Sequence, residues 1–161
     1  MKPNAERIKL LLVDDHAIVR AGFRHLLKND ADYDIHEVDS AEEACKVYGD
    51  YQPDAVIMDL MMPGMGGLEG VRYLHAKDRK AKILVLSMRD DRSYVTRATL
   101  AGAKGYLTKQ SAPEELARAI KVIISGQKYL SADIHEFTGK KSYASDEEKI
   151  TSLSEREFEV F

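Results

Sequence analysis

Short apolar segments alternate along the chain with longer segments whose apolar residues recur at helical spacing. The five apolar segments are Ile8–Val13, Tyr33–Val38, Ala55–Met58, Ile83–Leu86 and Gly105–Leu107. The first, third and fourth are almost continuous in Ile, Leu and Val, which is typical of strands buried on both faces of a parallel sheet. The second segment is more polar and is predicted to be an edge strand.

The segments between the strands carry apolar stripes that are typical of amphipathic helices. Two of them keep the i, i+3, i+4, i+7, i+8 spacing throughout: Val19, Gly22, Phe23, Leu26, Leu27, and Leu116, Ala119, Ile120, Ile123, Ile124. A third stripe begins at a Ser40–Glu43 capping box, and Ser111–Glu114 repeats that signal. Five strands alternating with five helices predict an α/β fold, a doubly wound five-stranded parallel sheet with helices on both faces.

The weakest helical stripe lies in residues 94–101, where only Val95, Ala98 and Leu100 are apolar enough to dock. A loosely docked helix would suit an element that switches between two states. A poorly packed surface helix explains the same sequence equally well.

The pattern changes after Gly126. Residues 127–149 are polar and are predicted to form a linker. A small apolar island within it, Tyr129 to Phe137, could fold back on the first domain or form a short helix. Ser154 and Glu157 make a further capping box shortly before the last residue, so residues 150–161 are expected to be the first helix of a truncated output domain. The first domain is predicted to span residues 8–126.

Composition excludes several classes of protein. The formal net charge is −3, whereas nucleic-acid-binding surfaces are normally basic. The chain has a single cysteine, Cys45, which cannot form an internal disulfide, and no apolar run approaches the roughly 20 residues that cross a bilayer. We therefore expect a soluble cytoplasmic protein with no membrane partner.

Polar residues follow the ends of four predicted strands. Asp14 and Asp15 come after the first strand, Asp59 after the third, Ser87 after the fourth and Lys109 after the fifth. Binding sites of open α/β sheets lie at the carboxyl ends of the strands. If these strands are neighbours, all five side chains face one crevice.

Three converging carboxylates repel one another unless positive charge joins them. Lys109 supplies one charge, and Mg²⁺ (or Mn²⁺) suits a shallow site of carboxylates, a backbone carbonyl and water. Such a metal would bridge a carboxylate and a phosphoryl oxygen while Asp59 attacks phosphorus in line. Lys109 and the Ser87 hydroxyl would hold other phosphoryl oxygens.

Simpler interpretations exist for each residue alone. Asp14 and Asp15 could be caps with a favourable place near the helix dipole. Ser87 and Lys109 are common residues at strand ends. The hypothesis of a site therefore depends on all five positions occurring together in register.

With these residues in view, the chain resembles the response regulator receiver family from about residue 8 to residue 126. The motifs that carry the resemblance are Leu12-Val13-Asp14-Asp15-His16, Met58-Asp59-Leu60-Met61-Met62-Pro63-Gly64, Leu86-Ser87-Met88 and Gly105-Tyr106-Leu107-Thr108-Lys109. The resemblance implies a flavodoxin-like strand order 2-1-3-4-5 and a phosphoryl group donated to Asp59 by a sensor histidine kinase.

The same resemblance implies further roles. Asp15, Asp59 and the Met61 carbonyl would bind the metal, and Asp14 would act largely through water. Ser87 and Tyr106 would form a switch pair, although Tyr106 could equally be a static aromatic at the edge of the core. Phosphorylation would release the output domain, promote homodimerisation, or both.

The tail from Leu153 to Phe161 resembles the opening of a LuxR-type helix-turn-helix domain, as in regulators of the NarL/FixJ family. DNA would then be bound by the full-length output domain and not by this fragment, which lacks the recognition helix. One departure from the family pattern is Gly66, where many receivers carry Asp or Asn as a cap. Another is Gln110, where many have proline.

Three other functions are compatible with parts of this pattern. An aspartyl phosphohydrolase would place its two acids two residues apart after the first strand, whereas Asp14 and Asp15 are adjacent. A flavin or nucleotide module would need a Gly- or Ser-rich loop there. A receiver that acts through protein–protein contacts stays open if the likeness of the tail is accidental.

Overall fold

The computed structural model describes residues 7–88 and 92–134. Its strands are β1 (Ile8–Val13), β2 (Tyr33–Val38), β3 (Ala55–Asp59), β4 (Ile83–Ser87), β5 (Gly105–Thr108) and β6 (Tyr129–Leu130). Its helices are α1 (Ala17–Leu27), α2 (Ala41–Tyr51), α3 (Gly66–Lys77), α4 (Arg92–Ala101) and α5 (Ala112–Ile124). The five predicted strands are all present, and β3, β4 and β5 each continue one residue further than predicted.

All strands pair in parallel in the order β2-β1-β3-β4-β5-β6. The first five confirm the expected order 2-1-3-4-5, with the polar strand β2 at one edge. The sixth strand was not predicted, and it extends the sheet beyond β5. This order places β1, β3, β4 and β5 side by side, so their carboxyl ends meet at one edge of the sheet.

Both faces of the sheet are covered by helices. Side chains along a strand point alternately to opposite faces. Leu11 and Val13 of β1 therefore belong to a buried cluster that α2, α3 and α4 complete, while Leu10 and Leu12 belong to one that α1 and α5 complete. Burial on both sides explains the nearly continuous apolar sequence of this strand and confirms the doubly wound fold.

The two helix caps predicted next to the sheet differ in outcome. The Ser40 hydroxyl accepts a hydrogen bond of 3.1 Å from the Glu43 amide, as predicted. The Ser111 side chain makes no cap hydrogen bond, so the predicted Ser111–Glu114 box was wrong. Instead, Thr108 Oγ1 accepts a hydrogen bond of 3.2 Å from the Ser111 amide, because α5 begins directly beside the end of β5.

Three residues of the predicted stripes lie at the surface, and one of them is Gly22 of α1. Leu26 of α1 is 36% exposed and Leu100 of α4 is 41% exposed. Helix α4 docks through Val95, Ala98 and Ala101. Ala101 follows Ala98 at i+3 and so shares its face, whereas a residue at i+2 does not. The expectation that Leu100 docks was therefore wrong.

Residues 127–134 continue onto the sheet after α5. Tyr129 and Leu130 pair with β5, and Ile134 is only 1% exposed. The fold-back arrangement, one of the two that the sequence left open, is therefore present, and residues 132–134 are also helical. Phe137 and the helix expected over residues 150–161 lie outside the described residues. Among the described helices, none has the length and apolar character needed to cross a membrane.

Candidate phosphoryl-transfer site

The sheet brings the predicted site residues to its carboxyl edge. Asp14 directly follows β1, Asp59 and Ser87 are the last residues of β3 and β4, and Lys109 directly follows β5. The Lys109 amide donates a hydrogen bond of 2.9 Å to the Ser87 carbonyl, which ties the end of β5 to its neighbour. The predicted convergence is therefore seen in the structure.

Lys109 lies between two buried carboxylates. Its Nζ is 3.3 Å from Asp14 Oδ2 and 3.3 Å from Asp59 Oδ1. Asp14 is 1% exposed and Asp59 is 2% exposed, so both are almost completely removed from water. A single cation shared by two buried carboxylates leaves this part of the site with net negative charge.

Burial raises the pKa of Asp59, and the Asp14 carboxylate raises it further. The Lys109 ammonium and the hydrogen bond from the Met61 amide, 3.3 Å from Asp59 Oδ1, act in the opposite direction without overcoming the increase. Loss of water and a like charge both disfavour an ionised carboxylate. An additional positive charge at this position would stabilise the ionised form.

Asp14 also closes the turn before α1. Its Oδ1 accepts a hydrogen bond of 2.9 Å from the His16 amide, and its carbonyl accepts one of 2.5 Å from Arg20 Nη1. The N-cap of α1 is His16, where no side-chain cap hydrogen bond forms, so the predicted N-cap role of Asp14 was wrong, and Asp14 Oδ1 has instead a turn-closing role. This role does not account for Oδ2, which faces Lys109.

His16 belongs to the same cluster, and sequence reasoning missed it. Its Nδ1 lies 3.1 Å from Asp14 Oδ1 and 3.1 Å from Asp15 Oδ1. One ligand atom from each of His16, Asp14, Asp15 and Asp59 falls within 4.8 Å of the others. The available signal was its position, directly after the acidic pair in a loop at the carboxyl edge.

The carboxylates present suit a hard divalent cation. Among the described residues, Asp59 Oδ2 is buried with neither a hydrogen bond nor an ion pair, whereas the buried Asp14 Oδ2 and Asp15 Oδ1 have only the contacts with Lys109 and His16. A buried polar atom that lacks a partner costs about 1–3 kcal/mol. Oxygen donors are the ligands that Mg²⁺ prefers, and a cation here would satisfy all three atoms.

The remaining predicted residues surround this cluster. Ser87 is fully buried, and Tyr106 is 1% exposed in the apolar cluster beneath α4. A static core residue and a switch residue in its inward state would both occupy that position. Met61 is 51% exposed at the surface of the loop that follows β3.

Comparison with known families matches residues 10–121 to the response regulator receiver domain. The chain belongs to this family. The match covers β1 through most of α5, which is the part of the fold that forms the acidic site.

Individual relatives agree with the family assignment. The chain is 36% identical over 159 residues to response regulator GacA of Pseudomonas aeruginosa, covering 95% of this chain and 73% of that protein. It is also 36% identical over 156 residues to response regulator UvrY of Escherichia coli K12, covering 95% and 72%. A crystal structure of a LuxR-family two-component response regulator from Aurantimonas sp. SI85-9A1 superposes with a TM-score of 0.77. It has 40% identity and covers 81% of this chain and 94% of that one.

Proposed function

We propose that Asp59 accepts a phosphoryl group from a sensor histidine kinase and that this modification switches a DNA-binding transcriptional output. Membership of the receiver family supports the first part, and similarity to a LuxR-family regulator supports the second. The observation that carries the proposal is Asp59 Oδ2, a buried carboxylate oxygen without a hydrogen-bond partner among the described residues, next to a lysine.

Asp59 Oδ2 is the proposed nucleophile, because Oδ1 is already paired with Lys109 and the Met61 amide. The new bond joins Oδ2 to phosphorus, and the bond from phosphorus to the donor's imidazole nitrogen breaks. The electron pair of that bond leaves with the imidazole. The Lys109 ammonium would pair with one incoming phosphoryl oxygen, and the Ser87 hydroxyl would donate a hydrogen bond to another.

Asp15, Asp59 and the Met61 carbonyl would hold Mg²⁺ or Mn²⁺, with Asp14 acting largely through water. When bound, the metal would neutralise charge on the phosphoryl oxygens. The buried carboxylate oxygens that accept no hydrogen bond from the described residues support this assignment. His16 lies close enough to influence which ion is preferred.

Phosphorylation would shift an existing equilibrium between two states of the face around Tyr106. Ser87 would move toward the phosphoryl group, and the Tyr106 ring would turn inward behind it, so phosphorylation would favour the inward state seen here over an outward one. The consequence would be release of the output domain, homodimerisation, or both. DNA binding would be a property of the output domain and not of the receiver domain.

The proposed role is that of a switch that assists its own phosphorylation and dephosphorylation, without turning over another substrate. Hydrolysis of the acyl phosphate by water would reset it. We infer a cytoplasmic setting, in which the buried Cys45 stays a free thiol. If the full-length protein carries no DNA-binding domain, the same receiver would act through protein–protein contacts.

The test is the intact mass of the chain after incubation with acetyl phosphate and Mg²⁺. We expect one phosphoryl adduct on the wild type, none on Asp59→Asn, and an unchanged adduct on Asp39→Asn. Asp39 is a suitable control because it is exposed and follows β2 at the same edge of the sheet, outside the acidic cluster. Equal labelling of wild type and Asp59→Asn would reject Asp59 as the acceptor.

A further inference from the structure

The segment that follows α5 pairs with the first two residues of β5. The Tyr129 amide donates to the Lys104 carbonyl at 3.0 Å, and the Ser131 amide donates to the Tyr106 carbonyl at 3.0 Å. These bonds flank the pairing of β6 with β5 at its two ends. Residues 129–134, here called the docking segment, therefore cover the edge of the strand that ends beside Lys109.

The docking segment reaches the end of β5 through a compact hydrogen-bond network. Thr108 Oγ1 donates to Asp133 Oδ2 at 2.7 Å, and Ser131 Oγ donates to Asp133 Oδ1 at 2.6 Å. Thr108 and Ser131 are buried. Burial alone would raise the pKa of Asp133, but the hydrogen bonds from Ser131, Thr108 and Ser111 outweigh it and lower the pKa. Asp133 is therefore held as a carboxylate.

Thr108 connects this network to the acidic site. It directly precedes Lys109, whose Nζ lies 3.3 Å from both Asp14 and Asp59. The Thr108 hydroxyl also accepts a hydrogen bond of 3.2 Å from the Ser111 amide at the start of α5. Its side chain is thus bonded on both sides, and Asp133 supplies the bond from the docking segment.

Two further anchors hold the docking segment independently of Asp133. The Ala132 amide donates to Glu115 Oε1 at 3.1 Å, and the Tyr129 hydroxyl donates to the same carboxylate. Ile134 is 1% exposed and lies in the same buried cluster as Tyr106. Loss of the Asp133 carboxylate should therefore loosen the contact to Thr108 without unfolding the segment.

We infer that Asp133 is a positioning residue for Lys109. Through Thr108 it holds the end of β5 where Lys109 reaches Asp59, and it couples phosphoryl binding to docking of residues 129–134. The inference rests on the proposed phosphoacceptor function. Coupling between two binding equilibria is reciprocal. If docking of the segment strengthens phosphoryl binding at Asp59 by a given factor, then a phosphoryl group at Asp59 raises the equilibrium constant for docking by the same factor. The chain beyond residue 134 would then receive the signal through this segment.

The test uses beryllofluoride with Mg²⁺ as the probe of the phosphoryl site, titrated into the 161-residue chain and followed by amide NMR. We expect Asp133→Ala to bind the probe about tenfold more weakly than the wild type. Thr108→Val removes the same Thr108–Asp133 bond and should also weaken binding, and the loss in the double variant should be smaller than the sum of the two single losses, because the two substitutions share that bond. Thr108→Ser keeps the hydroxyl and should restore binding.

Hydrogen exchange supplies the second readout. In the wild type, the probe should slow exchange of the Ser131 and Ile134 amides about tenfold, the same factor as the expected change in affinity. In Asp133→Ala, the probe should leave the exchange rates of these amides unchanged. The matched control is Asp78→Asn. Asp78 follows α3 at the opposite edge of the sheet, and its carboxylate accepts a hydrogen bond of 2.8 Å from the Tyr48 hydroxyl. The substitution should lower stability without changing affinity for the probe.

Two outcomes would overturn the inference. One is Asp133→Ala binding the probe as tightly as the wild type or more tightly. The other is additive losses in the double variant, which would mark Asp133 as a purely structural residue. Failure of the wild type itself to bind beryllofluoride would instead reject the proposed phosphoryl site.

Discussion

Gly67 lies in the first turn of α3, against the backbone that carries Asp59. A Cβ atom at this position would lie 2.0 Å from the Asp59 carbonyl oxygen and 2.7 Å from Leu60 Cα. The first distance is about 1.4 Å shorter than the 3.4 Å at which ordinary contact begins. Both neighbours are backbone atoms, so no side chain can rotate away. Gly67→Ala must therefore displace either the helix or the end of β3.

We expect Gly67→Ala to reduce the free energy of unfolding by about 3 kcal/mol, the upper part of the usual range for overpacking. A shift of about 1 Å in a reacting group can cost roughly 100-fold in rate, so phosphorylation of Asp59 should slow by a similar order. Urea denaturation followed by circular dichroism gives the first quantity. The initial rate of labelling by acetyl phosphate, read by intact mass, gives the second.

Two glycines provide controls for the Gly67 experiment. Gly66 has φ +78° but no atom within 4 Å of an added Cβ, so Gly66→Ala should cost only about 1–2 kcal/mol of backbone strain. Gly22 is exposed within α1 with equally open space, and Gly22→Ala should stabilise by about 0.5–1 kcal/mol. The steric argument is refuted if Gly67→Ala unfolds within about 0.5 kcal/mol of the wild type and is labelled at the same rate.

Three other changes test the charges around the fold. Lys109→Met should strengthen Mg²⁺ binding several-fold, because it removes a competing cation, yet slow the labelling of Asp59; unchanged Mg²⁺ affinity in an NMR titration would contradict this. A hydrogen bond from Tyr48 lowers the pKa of Asp78, so the stability lost in Asp78→Asn, about 1 kcal/mol, should be complete above pH 4 and should vanish as the pH falls through the lowered pKa. Denaturation at several pH values checks it, and a constant difference down to pH 2 would count against it. His16→Gln should weaken binding of Zn²⁺ more than that of Mg²⁺ by calorimetry, since imidazole is the better ligand for zinc, and equal effects would show that His16 is not a ligand.

Much of the fold was predictable because its signals are local. The apolar residues of β1 serve two faces of the sheet, and that burial is visible as a continuous apolar run. Asp14, Asp59 and Lys109 could be assigned to one site because parallel strands that share a sheet end at a common edge. Their separation in sequence did not obscure this, since each residue lies at the end of a recognisable strand.

The docking segment shows where local signals fail. Tyr129 and Leu130 are too short a pair to predict a strand, and they form one only because β5 offers a free edge in register. At the start of α5, the hydrogen bond expected from a Ser111 cap is supplied by Thr108 instead. Thr108 can accept this bond from the Ser111 amide because the fold brings the end of β5 beside the helix. Neither contact leaves a periodic pattern in the sequence.

Residue order alone predicts the alternation of strands and helices, the two-sided core, and the acidic residues and lysine at strand ends. These follow from periodic burial and from which residue comes next along the chain. Three contacts required the folded structure: Lys109 lies between Asp14 and Asp59, His16 joins them, and Asp133 bonds to the residue before Lys109. Such contacts join residues up to 95 positions apart in sequence, and their distances depend on how the loops place each side chain.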